Sequence, residues 1–217
     1  MKKITFVILL SLLILPISCA KKSETDEKIS QLRYDALYSS CEEYEIYAFK
    51  EIREEPLKDD GETGEKKNVL IFKIIFKKET PLKSSPIVSF GLNGLTYRKE
   101  FEYKPLSNFV CCSLFLPSLP DNKLEVAIEF NKTTNRHTLL TVLNKDTLSC
   151  SEIIDVFKKT NDADALKFLN GENKYEMRVR LISSEGYNCY FVGLYGESEF
   201  VGFLLDGTTG EFLAKKK

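Results

Sequence analysis

The sequence predicts a β-rich protein with an antiparallel β-sandwich at residues 31–147 and a small helix-plus-antiparallel-sheet (α+β) unit at residues 148–217. Three observations support this fold class. Short runs rich in β-branched and aromatic residues alternate with turn residues through the first part. Two segments that begin with helix-capping residues follow them. Three more strand-like runs separated by short turns come last.

Seven short strands are predicted between residues 43 and 144. The clearest alternation is in KLEVAIEF, whose apolar positions are Leu124, Val126, Ile128 and Phe130. Asn93-Gly94 predicts a two-residue hairpin turn, and the polar stretch NKTTNRH predicts another turn. The number and spacing of the strands indicate an immunoglobulin-like β-sandwich, although the tryptophan of true immunoglobulin domains is absent.

The flanking segments predict helices and a meander. Residues 29–37 have a rough helical spacing and predict a short helix or an extended lead-in. Ser149 or Ser151 is placed to cap the helix EIIDVFKKT, with Glu152 in its first turn. Asp162 is placed to cap a second helix, ADALKFLNG. The runs KYEMRVRLI, YNCYFVGLY and EFVGFLLD then predict a three-stranded antiparallel meander.

Residues 1–18 have the features of a secretory signal peptide. Lys2 and Lys3 provide a positive start, and residues 4–17 are almost wholly apolar. A membrane-spanning helix needs about 20 apolar residues, so the shorter run favours a signal over a transmembrane anchor. Residues 19–30 follow as a polar segment of mixed charge, a composition typical of a tether rather than of a buried core.

The stretch LPISC at residues 15–19 resembles the lipobox of bacterial lipoproteins. Ile17 and Ser18 have the residue types usual before the modified cysteine, whereas Pro16 stands where leucine is usual. The resemblance implies that diacylglycerol is attached to Cys19 and that a peptidase cleaves just before it. Two or more acyl chains would anchor the protein stably in a membrane. The alternative is plain secretion, with Cys19 near the cleavage site.

Five further cysteines are present: Cys41, Cys111, Cys112, Cys150 and Cys189. Exported proteins often form disulfides, but an odd number leaves at least one thiol unpaired within the chain. Buried free thiols are expected for most of them, and a bridge such as Cys150–Cys189 stays open as an alternative. Cys111 and Cys112 are adjacent in a strand-like run, so their side chains are expected to face opposite ways.

Catalysis and metal binding find little support in the sequence. It contains no nucleophile elbow, no glycine-rich loop after a strand and no HExxH motif. The only histidine, His137, has no ligand spacing around it. The net charge of −1 provides no argument for nucleic-acid binding. We therefore predict no catalytic residues, no metal and no cofactor, and one lipid-attachment site at Cys19.

The stretch GFLLDGTTGEFL is similar to the end of PepSY-type modules, small extracytoplasmic units in which a helix packs on an antiparallel sheet. The matching positions are Asp206, Thr209, Gly210, Glu211 and Phe212. The resemblance implies a regulatory or binding module without catalysis, sometimes linked to protease inhibition. The simpler alternative is turn chemistry, because Asp-Gly and Thr-Gly form good turns between strands in any fold.

These patterns predict a lipid-anchored binding or scaffolding protein of the bacterial cell envelope, on the extracytoplasmic face of the cell membrane or outer membrane. Its expected contacts are membrane lipid, through the anchor, and a protein partner at the envelope, but not nucleic acid. One alternative is a secreted or signal-anchored binding protein. Another is an envelope protease regulator or enzyme that acts through the C-terminal module.

Overall fold

The computed structural model describes residues 27–58, 63–78, 84–103, 108–171, 174–184 and 186–217. Cys19, the predicted signal peptide and most of the predicted tether lie outside these residues. The described part is a β-rich α+β fold, as the sequence predicts. Two short helices interrupt a succession of strands.

The first nine strands are β1 (Ile29–Ser40), β2 (Tyr44–Glu54), β3 (Lys66–Phe76), β4 (Ile87–Leu92), β5 (Leu95–Glu100), β6 (Glu102–Tyr103), β7 (Phe109–Phe115), β8 (Lys123–Phe130) and β9 (Thr133–Thr141). The remaining elements are the helices α1 (Cys150–Lys158) and α2 (Ala163–Leu169), and the strands β10 (Glu176–Ser184), β11 (Tyr187–Tyr195), β12 (Phe200–Asp206) and β13 (Phe212–Lys216).

Nine of these strands form one long sheet in the order β13-β12-β11-β10-β1-β2-β3-β7-β6. All neighbours in it are antiparallel except β1 and β10, which run parallel. The other four strands form a second layer in the order β5-β4-β8-β9, which joins the long sheet where β9 pairs with β1. The second layer and one half of the long sheet make the predicted sandwich.

The sandwich encloses a hydrophobic cluster between its two layers. Its largest fully buried side chains include Tyr44, Phe72, Phe101, Ile128 and Leu139. The alternation in KLEVAIEF is confirmed, because its four apolar positions point into this cluster. Burial of apolar area here provides the main driving force for joining the two layers.

A second hydrophobic cluster lies between the helices and strands β10 to β12. Ile153 and Phe157 of α1 and Phe168 of α2 pack in it beside Val179 and Phe203. In β1, Leu32 pairs with both Ile52 of β2 and Val179 of β10. Paired residues share a face, so the helices and the second sandwich layer cover the same side of the long sheet. No described helix or strand covers its other side.

Both predicted helix caps are confirmed. The Ser149 hydroxyl accepts a hydrogen bond from the backbone N–H of Glu152 at 3.3 Å, and the Glu152 carboxylate accepts one from the Ser149 N–H at 2.7 Å. This reciprocal pair is a capping box, which satisfies donors that a helix start leaves open. The Asp162 carboxylate accepts from the N–H groups of Asp164 and Ala165 and caps α2.

Residues 29–37, for which the sequence predicts a short helix or an extended lead-in, are part of strand β1. The register against β2 shifts between Arg33 and Asp35, which places a bulge at Tyr34. One extra residue changes the phase of the alternation, and the resulting apolar spacing resembles that of a helix. Ile29 and Ser30, which composition placed in the tether, are buried residues of β1.

One strand, β9, begins earlier than the sequence predicts, and another, β13, is not predicted at all. NKTTNRH is not all turn, because only Asn131 and Lys132 have left-handed φ angles, 47° and 70°, and β9 starts at Thr133. Two such residues form the hairpin turn that suits twisted strands. The meander also has a fourth strand, β13, whose residues are all exposed and therefore carry no apolar alternation.

Candidate functional site: an arginine-rich sheet face

The uncovered side of the long sheet carries a cluster that we call the arginine face. It consists of Arg33, Phe49, Arg53, Arg178, Arg180, Phe191, Tyr195 and Phe200. The strand register brings these residues together, since Arg33 pairs with Glu51 on one side and with Arg180 on the other. Arg180 in turn pairs with Phe191. One row of side chains therefore crosses β2, β1, β10 and β11 on the same face.

Glu51 is the central acceptor beneath the arginines, and its side chain is fully buried. Its Oε1 accepts a hydrogen bond from Gln31 Nε2 at 2.7 Å and lies 3.5 Å from Arg53 Nη1. Its Oε2 accepts from Arg33 Nε at 3.0 Å. A buried carboxylate needs such charged and polar donors to offset its lost hydration. Glu51 therefore orients Arg33 and Arg53 at the surface of the sheet.

Gln31 extends this network to Arg180. Its side-chain oxygen accepts from Arg180 Nε at 2.6 Å, while its amide nitrogen donates to Glu51. The two terminal nitrogens of Arg180 have no acceptor within the part of the chain that the structure describes. Burial lowers the pKa of Arg180, and the positive charges of Arg33 and Arg178 act in the same direction. Arg180 is thus an oriented cation beside other cations, with donors available to an incoming anion.

Arg178 lies on the same side of the sheet, two residues before Arg180 in β10, but it is buried, with only 5% of its surface exposed. Its guanidinium is ion-paired with Glu176, whose side chain is fully buried, and it also donates to the backbone oxygen of Lys58. The guanidinium lies 4.2 Å from the centroid of the Tyr195 ring, a cation–π contact. Burial raises the pKa of Glu176, while the Ser30 hydroxyl and Arg178 oppose that shift.

Two glycines allow aromatic rings to lie flat on the sheet beside the arginines. Gly193 of β11 pairs with Gly202 of β12, and both are buried. A Cβ atom on Gly193 would come within 2.7 Å of the Tyr195 ring, and one on Gly202 within 2.7 Å of the Phe191 ring. Rings that cover cross-strand glycines in this way stabilise a sheet. Phe191, Tyr195 and Phe200 consequently form a flat, partly exposed aromatic surface.

Cations also lie over aromatic rings on the sandwich half of the same side. The Arg33 guanidinium is 4.5 Å from the centroid of the Phe49 ring, and Lys73 Nζ is 4.3 Å from that of Phe109. Burial lowers the pKa of Lys73, and the charge of Arg33 lowers it further. The positive character of the arginine face therefore extends along the sheet toward β3 and β7.

Sequence reasoning missed this face, although part of its signal is visible in the sequence. Polar or charged residues stand at every second position within three of the strands: Arg33 two places after Gln31, Arg53 after Glu51, and Arg178 and Arg180 after Glu176. Such alternation indicates that one side of a strand is polar. The alternation does not show that the polar sides of β1, β2 and β10 lie next to one another in the sheet.

The five cysteines in the described residues are all free, so no Cys150–Cys189 bridge is formed. Cys112 and Cys150 are buried in the two hydrophobic clusters, and burial raises the pKa of both thiols to about 12. Cys111 is partly exposed and pairs with Lys73 on the opposite face of β7, so the adjacent cysteines face opposite ways as predicted. These thiols act as small apolar groups.

His137 lies at a groove of about 760 Å³ on the rim of the sandwich. Its Nε2 is 2.7 Å from the Tyr44 hydroxyl. Burial lowers the pKa of His137 and raises that of Tyr44 to about 12, so both groups are neutral near pH 7. Within the described ranges, no group of three or more His, Cys, Asp or Glu residues could hold a metal ion.

The residues of the PepSY-like stretch build the turn between β12 and β13. Asp206 Oδ1 accepts from the N–H groups of Thr208 and Thr209, each at 2.8 Å. Asp206 Oδ2 accepts from the Tyr187 hydroxyl at 2.6 Å. Phe212 then packs beside Phe203, with 5.4 Å between the ring centroids. These residues therefore have a clear structural role in closing the meander.

Replacing Tyr187 with phenylalanine is expected to raise the pKa of Asp206 toward its ordinary value of 3.8. The Tyr187 hydroxyl is the largest of the contacts that hold this pKa at about 2, ahead of the Thr209 and Thr208 amides. Because the folded-state pKa is the lower one, the contribution to stability is present above about pH 4 and is lost as the pH falls toward 2. A carboxyl-carbon NMR titration measures the shift, and an unchanged Asp206 pKa would contradict the assigned contact.

Comparison of the chain with family models, curated proteins and solved structures finds no match. The lipobox-like and PepSY-like resemblances therefore remain predictions from the sequence. None of the helices in the described residues is long and apolar enough to cross a membrane.

Proposed function

We propose that this protein is a lipid-anchored binding protein of the bacterial cell envelope and that the arginine face is its contact surface. The observation that supports a lipid anchor is the lipobox-like stretch LPISC, which ends at Cys19 after an apolar run. Cleavage before Cys19 would leave the lipidated cysteine as the first residue of the mature chain. No catalytic role is proposed.

The spacing between Cys19 and the folded body supports a function close to the membrane. Ile29, the first residue of β1, comes ten residues after Cys19. A chain of that length spans at most about 33–36 Å when it is fully extended. A body on so short a tether meets partners at or near the membrane surface rather than distant ones.

The chemistry of the arginine face supports binding rather than catalysis. Its two central carboxylates, Glu51 and Glu176, are fully buried and already ion-paired with arginines. Neither is exposed as a base or a nucleophile. Arginine and aromatic side chains, in contrast, are the residues most enriched where proteins bind their partners.

Replacing Cys19 with alanine tests the anchor. We expect the variant to take up no labelled fatty acid in a bacterial host and to accumulate as the uncleaved precursor. Replacing Cys41, a partly exposed cysteine of the folded body, is the matched control and should leave labelling unchanged. Acyl labelling, followed by separation of membrane and soluble fractions, measures both properties. A Cys19→Ala protein that is still cleaved and fractionates like the parent would contradict the proposal.

A further inference from the structure

We propose that the arginine face docks on the anionic headgroups of the membrane that carries the Cys19 lipid. The inference rests on the proposed function, because the lipid is what brings the face to that membrane. The ligand is the phosphate of the lipid headgroups, presented as a flat negative surface. The face and the anchor would then hold the protein in one orientation.

The tether joins the fold at the edge of the arginine face. The backbone oxygen of Lys28 accepts from the Met177 N–H at 2.7 Å, so the chain enters beside the start of β10. Arg33 follows four residues after Ile29 in β1, about 13 Å along a strand. This distance of about 13 Å is well within the tether's reach of about 33–36 Å. A lipid at Cys19 can therefore lie in the same membrane surface that the arginines contact.

The charge of the face complements an anionic surface. The carboxylates ion-paired with its arginines are Glu51, Glu55 and Glu176, and Asp206 lies farther along the same side, two residues after Leu204 in β12. Lys216 of β13 pairs with Gly202 and adds a further positive charge on this side. Cations therefore exceed carboxylates here, although the whole chain carries a net charge of −1. Guanidinium groups bind phosphate oxygens in a two-point geometry, and the terminal nitrogens of Arg180 are placed to do so.

The apolar part of the face suits a membrane surface as well. Phe191, Tyr195 and Phe200 are partly exposed beside the arginines, and Ile182 on the same side is 42% exposed. Aromatic rings with polar neighbours are favoured at the headgroup level of bilayers. A broad sheet with rings lying flat on its glycines can approach a planar surface closely.

A single tryptophan provides the test, because the chain has none of its own. The full-length chain with Phe200→Trp is produced in a bacterial host, purified in its lipidated form and placed in vesicles whose acyl chains carry bromine, a contact quencher. The vesicles contain phosphatidylcholine alone or an equal mixture with phosphatidylglycerol. We expect loss of most indole emission in the anionic vesicles and recovery as salt is added. Leu95→Trp is the control, since Leu95 lies in the second layer, is 58% exposed and should stay unquenched.

Charge variants at Ala214 test the electrostatic basis without touching the arginine network. Ala214 is exposed in β13 and pairs with Leu204, which pairs with Phe191 on the arginine face. Ala214→Glu in the Phe200→Trp chain should abolish the preference for anionic vesicles. Ala214→Lys should preserve it. Arg180→Gln should weaken it, whereas Arg136→Gln, at an exposed arginine of β9, should leave it unchanged.

Mass spectrometry of the same preparations separates the two proposals. An acylated Cys19 together with an unquenched Phe200→Trp indole in both kinds of vesicle would overturn docking and leave the anchor intact. Equal quenching in neutral and anionic vesicles would overturn recognition of anionic headgroups. A Cys19 without acyl groups would overturn the anchor, and with it the docking that depends on the anchor.

Discussion

The Glu51→Ala variant is expected to lose about 3–5 kcal/mol of its free energy of unfolding, the cost typical of breaking a buried ion pair from one side. Removal of this carboxylate leaves Arg33 and Arg53 without their shared acceptor and Gln31 without the partner of its amide. Arg33 then loses its paired carboxylate, and Arg53 keeps only Glu55. Urea denaturation followed by circular dichroism measures the loss.

The matched control for this prediction is Glu125→Ala. Glu125 is paired with Lys123 at the surface, where its side chain is 73% exposed, and its removal should leave the unfolding free energy unchanged. Glu51→Gln should be less damaging than Glu51→Ala because it keeps one acceptor oxygen. If Glu51→Ala and Glu125→Ala proved equally stable, Glu51 would not be the acceptor on which the network depends.

Asp35→Ala is expected to cause a loss of similar size, about 3–5 kcal/mol, at the junction of the two sheet layers. Asp35 Oδ2 lies 2.6 Å from Lys50 Nζ, and both side chains are almost completely buried. Asp35 Oδ1 accepts from the Thr141 hydroxyl at 2.7 Å. This carboxylate therefore ties β1 to β2 and to the end of β9. Without it, the Lys50 ammonium stays buried with a single backbone acceptor, the oxygen of Asp121.

The double variant Asp35→Leu with Lys50→Met is the internal control. Replacing both members of a buried ion pair by apolar residues of similar volume is often neutral or stabilising, whereas removing one member is not. Urea denaturation of the two single variants and the double variant completes a double-mutant cycle. A double variant as unstable as Asp35→Ala would show that packing, and not the unpaired charge, causes the loss.

Local patterns predicted the elements whose signals are local. Alternation identified β2 and β8, because one face of each strand is buried in a single hydrophobic cluster. A run of β-branched and aromatic residues identified β3. Ser149 and Asp162 identified the helix starts, because a cap acts within three residues of itself. Asn93-Gly94 placed one hairpin correctly, with φ angles of 52° and 77° at the turn.

The elements that sequence reasoning missed depend on features with no periodic signal. The bulge at Tyr34 shifts the alternation of β1, and β13 exposes every side chain. The arginine face depends on the parallel pairing of β1 with β10, which joins Ile29 to Met177. Nothing within either segment indicates the other as its partner, so the meeting of Arg33 with Arg180 follows only from the tertiary structure.

The position of β1 in the chain has a consequence for folding. It is the first of the described strands to be synthesised, yet two of its neighbours, β9 and β10, come more than ninety residues later. Contacts so distant in sequence make folding slow, because long loops must close before they form. One edge of β1 stays open until the C-terminal half is available to pair with it, and an open edge is a site for aggregation. The buried residues of the first hydrophobic cluster end at Leu139, whereas completion of the second cluster waits for the last strands. With the anchor proposed at Cys19, the chain would complete its folding at the membrane surface.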